Sequence, residues 1–247
     1  MGTTTRENRR TRKEVGVNAG GLAVLALADA RFPGGGHAHS GGVEEAASRG
    51  LITDIAGLQE FLRDRLHTVG VVQAVFAAAA THTAAHDCNR ARWAPLDVEL
   101  DARTPSPAQR EASRAQGRGT VRAGRAAWPS PALDALVTAC PRPHHPIVLG
   151  VLTAAAGACP RDAALAAGYQ AISGPSSAGV RLLGLDPMAV NAAVAGLGDE
   201  LDDIADHAAG SAGTDPADLP APGAPALDLF AEEHDRHHRE RVRLFAS

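Results

Sequence analysis

The sequence predicts an all-α protein, a single compact multi-helix bundle, on three observations. Alanine dominates a chain that is 45% hydrophobic but only 3% aromatic. Apolar residues recur at three- and four-residue spacing, while the alternation of β-branched residues that strands need is nearly absent. A helix-start signal, serine followed by proline, stands at 106–107. With 247 residues, the chain can bury most of its apolar surface as one large domain or two small ones.

Residues 1–20 carry arginines but no apolar stretch of the length a secretory leader needs, and Glu7 and Glu14 argue against a transit peptide. They read as a disordered polar arm. The all-helical domain is expected over 21–209, opening on the helix-like "GLAVLALADA". Next comes "RFPGGGHAHSGGVEEA" at 31–46, where glycines allow positive φ and close backbone contact, with Ser40 or Gly42 capping a helix from Val43. A phosphate cradle would add Lys-Ser/Thr after the last glycine, or a GxGxxG pattern, and neither is present.

Ile55, Leu58, Phe61, Leu62, Leu66 and Val69 share one helical face. The following "VVQAVFAAAATHTAAHD" is alanine-rich on nearly all sides, which suits a central buried helix. That run is shorter than the roughly 18 apolar residues that cross a bilayer, so no membrane span is expected. Ser106 as N-cap, Pro107 in the first turn and Gln109 completing a capping box start a helix over 106–128, which Pro129 and Pro131 stop. Further helices are expected at 131–139, 145–158, 161–183 with a break at "SGPSS", and 187–207. Gly117, Gly150, Gly157 and Gly168 permit close helix approach. Residues 210–226, rich in proline, glycine and aspartate, read as a flexible or extended linker with nothing to pack. Residues 227–247, a flexible C-terminal tail, then regain apolar character at Leu227, Phe230, Val242, Leu244 and Phe245, which is not expected of a segment that is disordered throughout.

A net charge of −4 and a pI near 6.2 give no global attraction to nucleic acid. Cys88, Cys140 and Cys159 form no CxxC pair, fit a reducing cytoplasm, and read as small buried hydrophobes. Arg110, Arg114, Arg118, Arg122 and Arg125 form a basic stripe with only Glu111 among them. A solvated face is the default, but stacked like charges favour an acidic protein surface or a neighbouring carboxylate as partner. His37 with His39, His82 with His86, and His234 with His237 and His238 are partial metal constellations without a complete ligand set. A histidine-ligated metal-binding protein or metalloenzyme is therefore the alternative reading. No Ser-His-Asp arrangement, HExxH, nucleophile elbow or Walker motif points to catalysis.

Five motifs in order resemble the UreF family of urease accessory proteins. "LADARFPGGGHAHSGGVEEA" resembles its N-terminal signature through Asp29, Pro33, Gly34 or Gly35, His39, Ser40, Gly42, Val43 and Glu44. "REASRAQGRG" matches through Glu111, Ser113, Gly117 and Arg118, and "HHPIVLGVLTAAAG" through His145, Val148 and Gly150. "SSAGVRLLGLDPMAV" matches through Ser177, Ala178, Arg181 and Leu182, and "RLFAS" resembles the family's closing segment. The resemblance covers 22–247. It departs at His37, where many relatives carry an aromatic, and at Asn191, near a position often held by glutamine.

The resemblance implies an all-α, non-enzymatic protein without cofactor, which dimerises, binds UreD (also called UreH) and recruits the GTPase UreG to deliver nickel to apo-urease. It implies that the glycine-rich stretch docks a protein through Pro33, Gly34, His37, His39, Ser40 and Glu44. Glu111, Ser113, Gly117, Arg118 and Arg181 would extend that contact. The closing Arg243, Leu244, Phe245 and Ser247 would fold against UreD.

Overall fold

The computed structural model describes residues 19–29, 31–35, 40–86 and 90–245. The arm expected over 1–20 therefore lies, up to residue 18, outside the described residues. Among the described residues every regular element is helical. The order is α1 Ala19–Ala28, α2 Val43–Ser48, α3 Ile55–Arg65, α4 Val71–His86, α5 Trp93–Ala102, α6 Pro107–Ala127, α7 Pro131–Ala139, α8 His145–Ala155, α9 Pro160–Leu183, α10 Pro187–Ala195, α11 Gly198–Ser211 and α12 Pro225–Phe245.

α4 is the central helix, as its composition predicts. Most of its apolar side chains, including the four successive alanines from 77 to 80, are buried, and it packs against α8, α9 and α11. Small side chains bring those axes close. At the crossing with α8 a Cβ added to Gly150 would lie 2.2 Å from the Ala77 carbonyl oxygen, so only glycine fits there. Thr81 Oγ1 sits 2.9 Å from both the Ala77 and Gly150 carbonyl oxygens, giving this small-residue contact a polar fixture.

Several expectations need correction. α3 and α4 form one helix, Ile55–His86, joined by a π turn at Leu66–Gly70, and by length and composition this helix could cross a membrane. The apolar run from Val71 is too short by itself, but its continuous join to α3 makes a 32-residue helix. Its α4 half packs against α8, α9 and α11 as a core element, while its α3 half leaves Glu60, Arg63 and Asp64 exposed. The segment 187–207 is two helices, α10 and α11, parted around Gly196. α8 ends at Ala155 rather than 158, where Gly157 adopts a φ of 79°. α5 was not anticipated. Cys140 is buried, which pushes its thiol up to about 11, but Cys159 is exposed; Cys88 lies outside the described residues.

The expected break in α9 is absent because Pro175 is accommodated within the helix. Proline has no N–H for the carbonyl four residues back. Here that carbonyl, Ala171 O, accepts instead from Arg65 Nε at 2.7 Å, so a side chain from α3 replaces the missing bond.

The stretch 210–226 also packs, contrary to expectation. Gly210 and Ser211 finish α11, while Ala212, Pro216 and Leu219 are buried, with a short 3-10 turn at Pro216–Asp218. Arginines from the body satisfy its carbonyls: Arg92 donates to Thr214 O at 3.1 Å, and Arg103 to Ala217 O and Leu219 O at 2.8 and 3.2 Å. The segment expected to be a flexible tail is α12, which lies across α6 and α2. Its Leu227 and Phe230 pack near Gly42 and Phe61, and the Arg49 guanidinium stands 5.4 Å from the Phe230 ring centroid.

Candidate docking groove

The glycine-rich loop, the N-terminal half of α6, the start of α8, the middle of α9 and the first turns of α12 enclose a groove of roughly 860 Å³. The loop enters it because its backbone can lie flat on α6. A Cβ on Gly34 would lie 2.7 Å from Thr120 Oγ1, while Gly119 offers no side chain beneath the Gly34 carbonyl. Gly42 rather than Ser40 caps α2, with a φ of 99° and no side-chain bond. Arg65 holds the loop's far end, donating through Nη1 to Gly41 O at 2.8 Å. Burial lowers its pKa to about 10, so it stays a cation at neutral pH.

Beneath the loop, His145 is buried at the start of α8. Its Nδ1 lies 3.0 Å from Thr120 Oγ1 and its Nε2 2.8 Å from Gln170 Oε1, while Gln170 Nε2 donates to Leu27 O at 2.7 Å. A neutral ring protonated at Nε2 suits this chain: Nε2 donates to Gln170 and Gln170 donates to α1, while the one Thr120 hydroxyl proton is shared between Nδ1 and the Gln116 carbonyl, each 3.0 Å away. Burial lowers the ring's pKa to about 4, with the Gln170 bond opposing. It orders α1, α6, α8 and α9 around the groove rather than offering a free base.

A second network lies under α6. Arg114 Nη2 donates to Asp97 Oδ2 at 2.9 Å and Asp101 Oδ2 at 2.7 Å, and His144 Nε2 lies 2.9 Å from Asp101 Oδ1. Ser113 Oγ contacts His144 Nδ1 at 3.0 Å and accepts from the His145 N–H at 3.3 Å. Burial pushes Asp101 up, but the hydrogen bonds from His144 and Arg114 outweigh it and hold its pKa low. Burial also depresses His144, with Asp101 partly opposing. Asp97, Asp101 and His144 have metal-ligand spacing. The Arg114 guanidinium, however, already bonds both carboxylates, so the set is a structural ion-pair cluster.

Pro33 is exposed and Gly34 is buried on α6; Ser40 and Glu111 line the groove, and Glu111 is held by Arg142 at 2.5 and 2.6 Å. Ser113 lines the groove and bonds His144 and the His145 N–H, while Gly117 is buried where a Cβ would lie 2.1 Å from Pro143 O. Arg118 is exposed and 3.7 Å from Glu111; Arg181 is exposed in the last turn of α9, outside the groove lining. Glu44 Oε2 faces His234 Nδ1 at 3.7 Å. His37, His39 and Ser247 lie outside the described residues; Arg243, Leu244 and Phe245 occupy the end of α12. The basic stripe is partly compensated by neighbouring carboxylates, Arg114 as above, Arg110 by Asp101 at 3.7 Å and Arg125 by Asp134 at 3.4 Å. His82 and His86 stack, with ring centroids 4.3 Å apart. Arg65, Asp97, Asp101, His144 and Gln170 were not anticipated, because each partner is distant in sequence. Only the i,i+4 spacing of Asp97 and Asp101 hinted at a shared face.

The UreF family model matches residues 52–198. The chain is 44% identical over 224 residues to a protein from Mycobacterium sp. (strain JLS) named "Urease accessory protein UreF", covering 91% of this chain and 97% of that one. This chain belongs to the UreF family. A second UreF, from Mycobacterium marinum, is 44% identical over 227 residues, covering 91% of this chain and 97% of its own length. The UreF of Mycobacterium bovis (strain BCG / Pasteur 1173P2) is 43% identical over 230 residues, covering 92% and 99%. The matched stretch 52–198 runs from the turn before α3 to the first residue of α11.

Proposed function

We propose that this protein is a non-catalytic adaptor in urease maturation, working in the cytoplasm without membrane or nucleic-acid contact. As a homodimer it binds UreD (UreH) and recruits the GTPase UreG, forming the complex that delivers nickel to apo-urease and modulates GTP hydrolysis. The observation that carries this reading is near-full-length identity to relatives named urease accessory proteins. The interior geometry is compatible with it: Asp97, Asp101, His144 and His145 beside the groove are tied into structural networks.

In this reading the loop residues Pro33, Gly34, His37, His39, Ser40 and Glu44, with Glu111, Arg118 and Arg181, contribute to partner contacts. Ser113 and Gly117 act by shaping the surface that carries them. Arg243, Leu244, Phe245 and Ser247 engage UreD. The test is co-expression with UreD and UreG, followed by size-exclusion chromatography with mass measurement. A stable complex is expected, lost from the UreD side when 243–247 are deleted and from the UreG side in Arg118→Glu or Arg181→Glu. A chain that stays alone with every member of the machinery overturns the proposal.

A further inference from the structure

α12 crosses α2 so that Glu233 and His237 face Glu45, with one ligand atom from each lying within 4.8 Å of the others. Glu45 is a carboxylate with only 6% of its side chain exposed. Such burial is rare without a counter-charge. Its Oε1 accepts from Arg49 Nε at 2.7 Å, whereas Oε2 faces His237 Nδ1 at 3.6 Å, beyond hydrogen-bonding range. Glu233 gives Oε2 to Arg236 and leaves Oε1 for another ligand. Beside them, His234 Nδ1 and Glu44 Oε2 repeat the same long spacing, at 3.7 Å. A first-row divalent ion bonded at about 2.0–2.2 Å to imidazole and carboxylate holds neighbouring ligand atoms roughly 3.0–3.5 Å apart. The Glu45–His237 separation is close to that value, and the half-exposed His237 can swing in to close the difference.

We propose that Glu45, Glu233 and His237 form a site for a first-row divalent cation, nickel or zinc, that clamps α12 to α2. One imidazole with two carboxylates suits these ions. Water completes the shell on the open side. The contrast with Asp97, Asp101 and His144 is informative. There Arg114 bridges the carboxylates, whereas Arg49 and Arg236 each engage a single carboxylate oxygen and leave the inner face open. The clamp holds the helix that ends in Arg243, Leu244 and Phe245. Taken with the partner-binding role proposed above, it sets how firmly the C-terminal segment stays on its own body.

Calorimetric titration of the full chain with Ni²⁺, and separately with Zn²⁺, tests the site, with hydrogen exchange of α12 as a second readout. The expected result is one ion per chain, bound at least roughly 10-fold more weakly by His237→Ala and by Glu233→Gln, since loss even of a ligand's supporting hydrogen bond costs that much, and unchanged in His238→Ala. The ion should also slow α12 amide exchange in the wild type but not in His237→Ala. The substituted side chains lie on α12, so circular dichroism of α-helix content will show each variant folded. Absence of binding for both ions overturns the proposal. So does binding that survives His237→Ala, or binding that depends on His238, which would place the ion on the histidines of α12 alone. Ion binding by a chain that ignores UreD would leave the clamp standing and remove the functional reading.

Discussion

His145 and Arg65 show how single buried groups set the groove. The folded His145 ring titrates at about 4, against an ordinary value of 6.5, so as pH falls the unfolded chain takes up its proton first. The stability this ring confers is complete above pH 6.5 and is lost between 6.5 and 4. The loss is about 3 kcal/mol. Urea midpoints measured across that window should fall steeply for the wild type and less steeply for His145→Gln, with His144 supplying the remaining slope. Parallel curves would clear the ring of any part in acid sensitivity. Arg65 supplies the bond that Pro175 cannot, so the two positions should be coupled. Arg65→Met is expected to cost roughly 2–4 kcal/mol by leaving two carbonyls without donors, and about 1 kcal/mol less in a Pro175→Ala background, where the restored N–H serves Ala171 O. A double-mutant cycle from denaturation data measures that difference, and strict additivity would contradict it.

The relation between α6 and α12 shows what local signals conveyed and what they could not. Ser106 caps α6 as its sequence predicts, accepting from the Gln109 N–H at 3.1 Å. The return bond of the capping box, however, comes from Asp228, which accepts from the Ser106 N–H at 3.3 Å and also takes the Gln109 Nε2 donor at 3.1 Å. Glu232 adds bonds from Ser106 Oγ at 2.5 Å and the Ala108 N–H at 2.9 Å. Two carboxylates from α12 thus meet the positive end of α6. Replacing both, Asp228→Asn with Glu232→Gln, should weaken α12 docking by roughly 0.5–2 kcal/mol. The expected signature is faster amide exchange in α12 with α4 and α8 unaffected; equal acceleration in all three would mean that α12 is an inseparable part of the fold. Helix starts and the apolar face of α3 were legible because they depend on neighbours within one or two turns. The packed course of 210–226 was not, since its order depends on arginines more than a hundred residues away. The same holds for the groove: the family motifs pointed to the loop, while the residues that fix it sit on α3, α8 and α9.

Taken as a whole, the molecule crosses its central helices by close backbone approach at glycines and alanines, with large side chains such as Trp93, Phe76 and Leu133 filling the core around them. Gly150→Ala should therefore destabilise it by at least about 3 kcal/mol, because the α4–α8 crossing must open. Gly210→Ala, at a helical position with nothing within 4 Å of the added Cβ, should stabilise it by roughly 0.5–1 kcal/mol. Thermal or denaturant unfolding of the pair checks both signs together. The alanine-lined centre of α4 has a further consequence for how this protein tolerates change. Removing a methyl group there deletes little buried volume, whereas adding one pushes apart helices on several sides. A saturation library through 77–80, the four successive buried alanines, should therefore be lopsided, admitting serine or glycine more readily than valine or leucine, so that sequence drift there is bounded by bulk rather than by polarity.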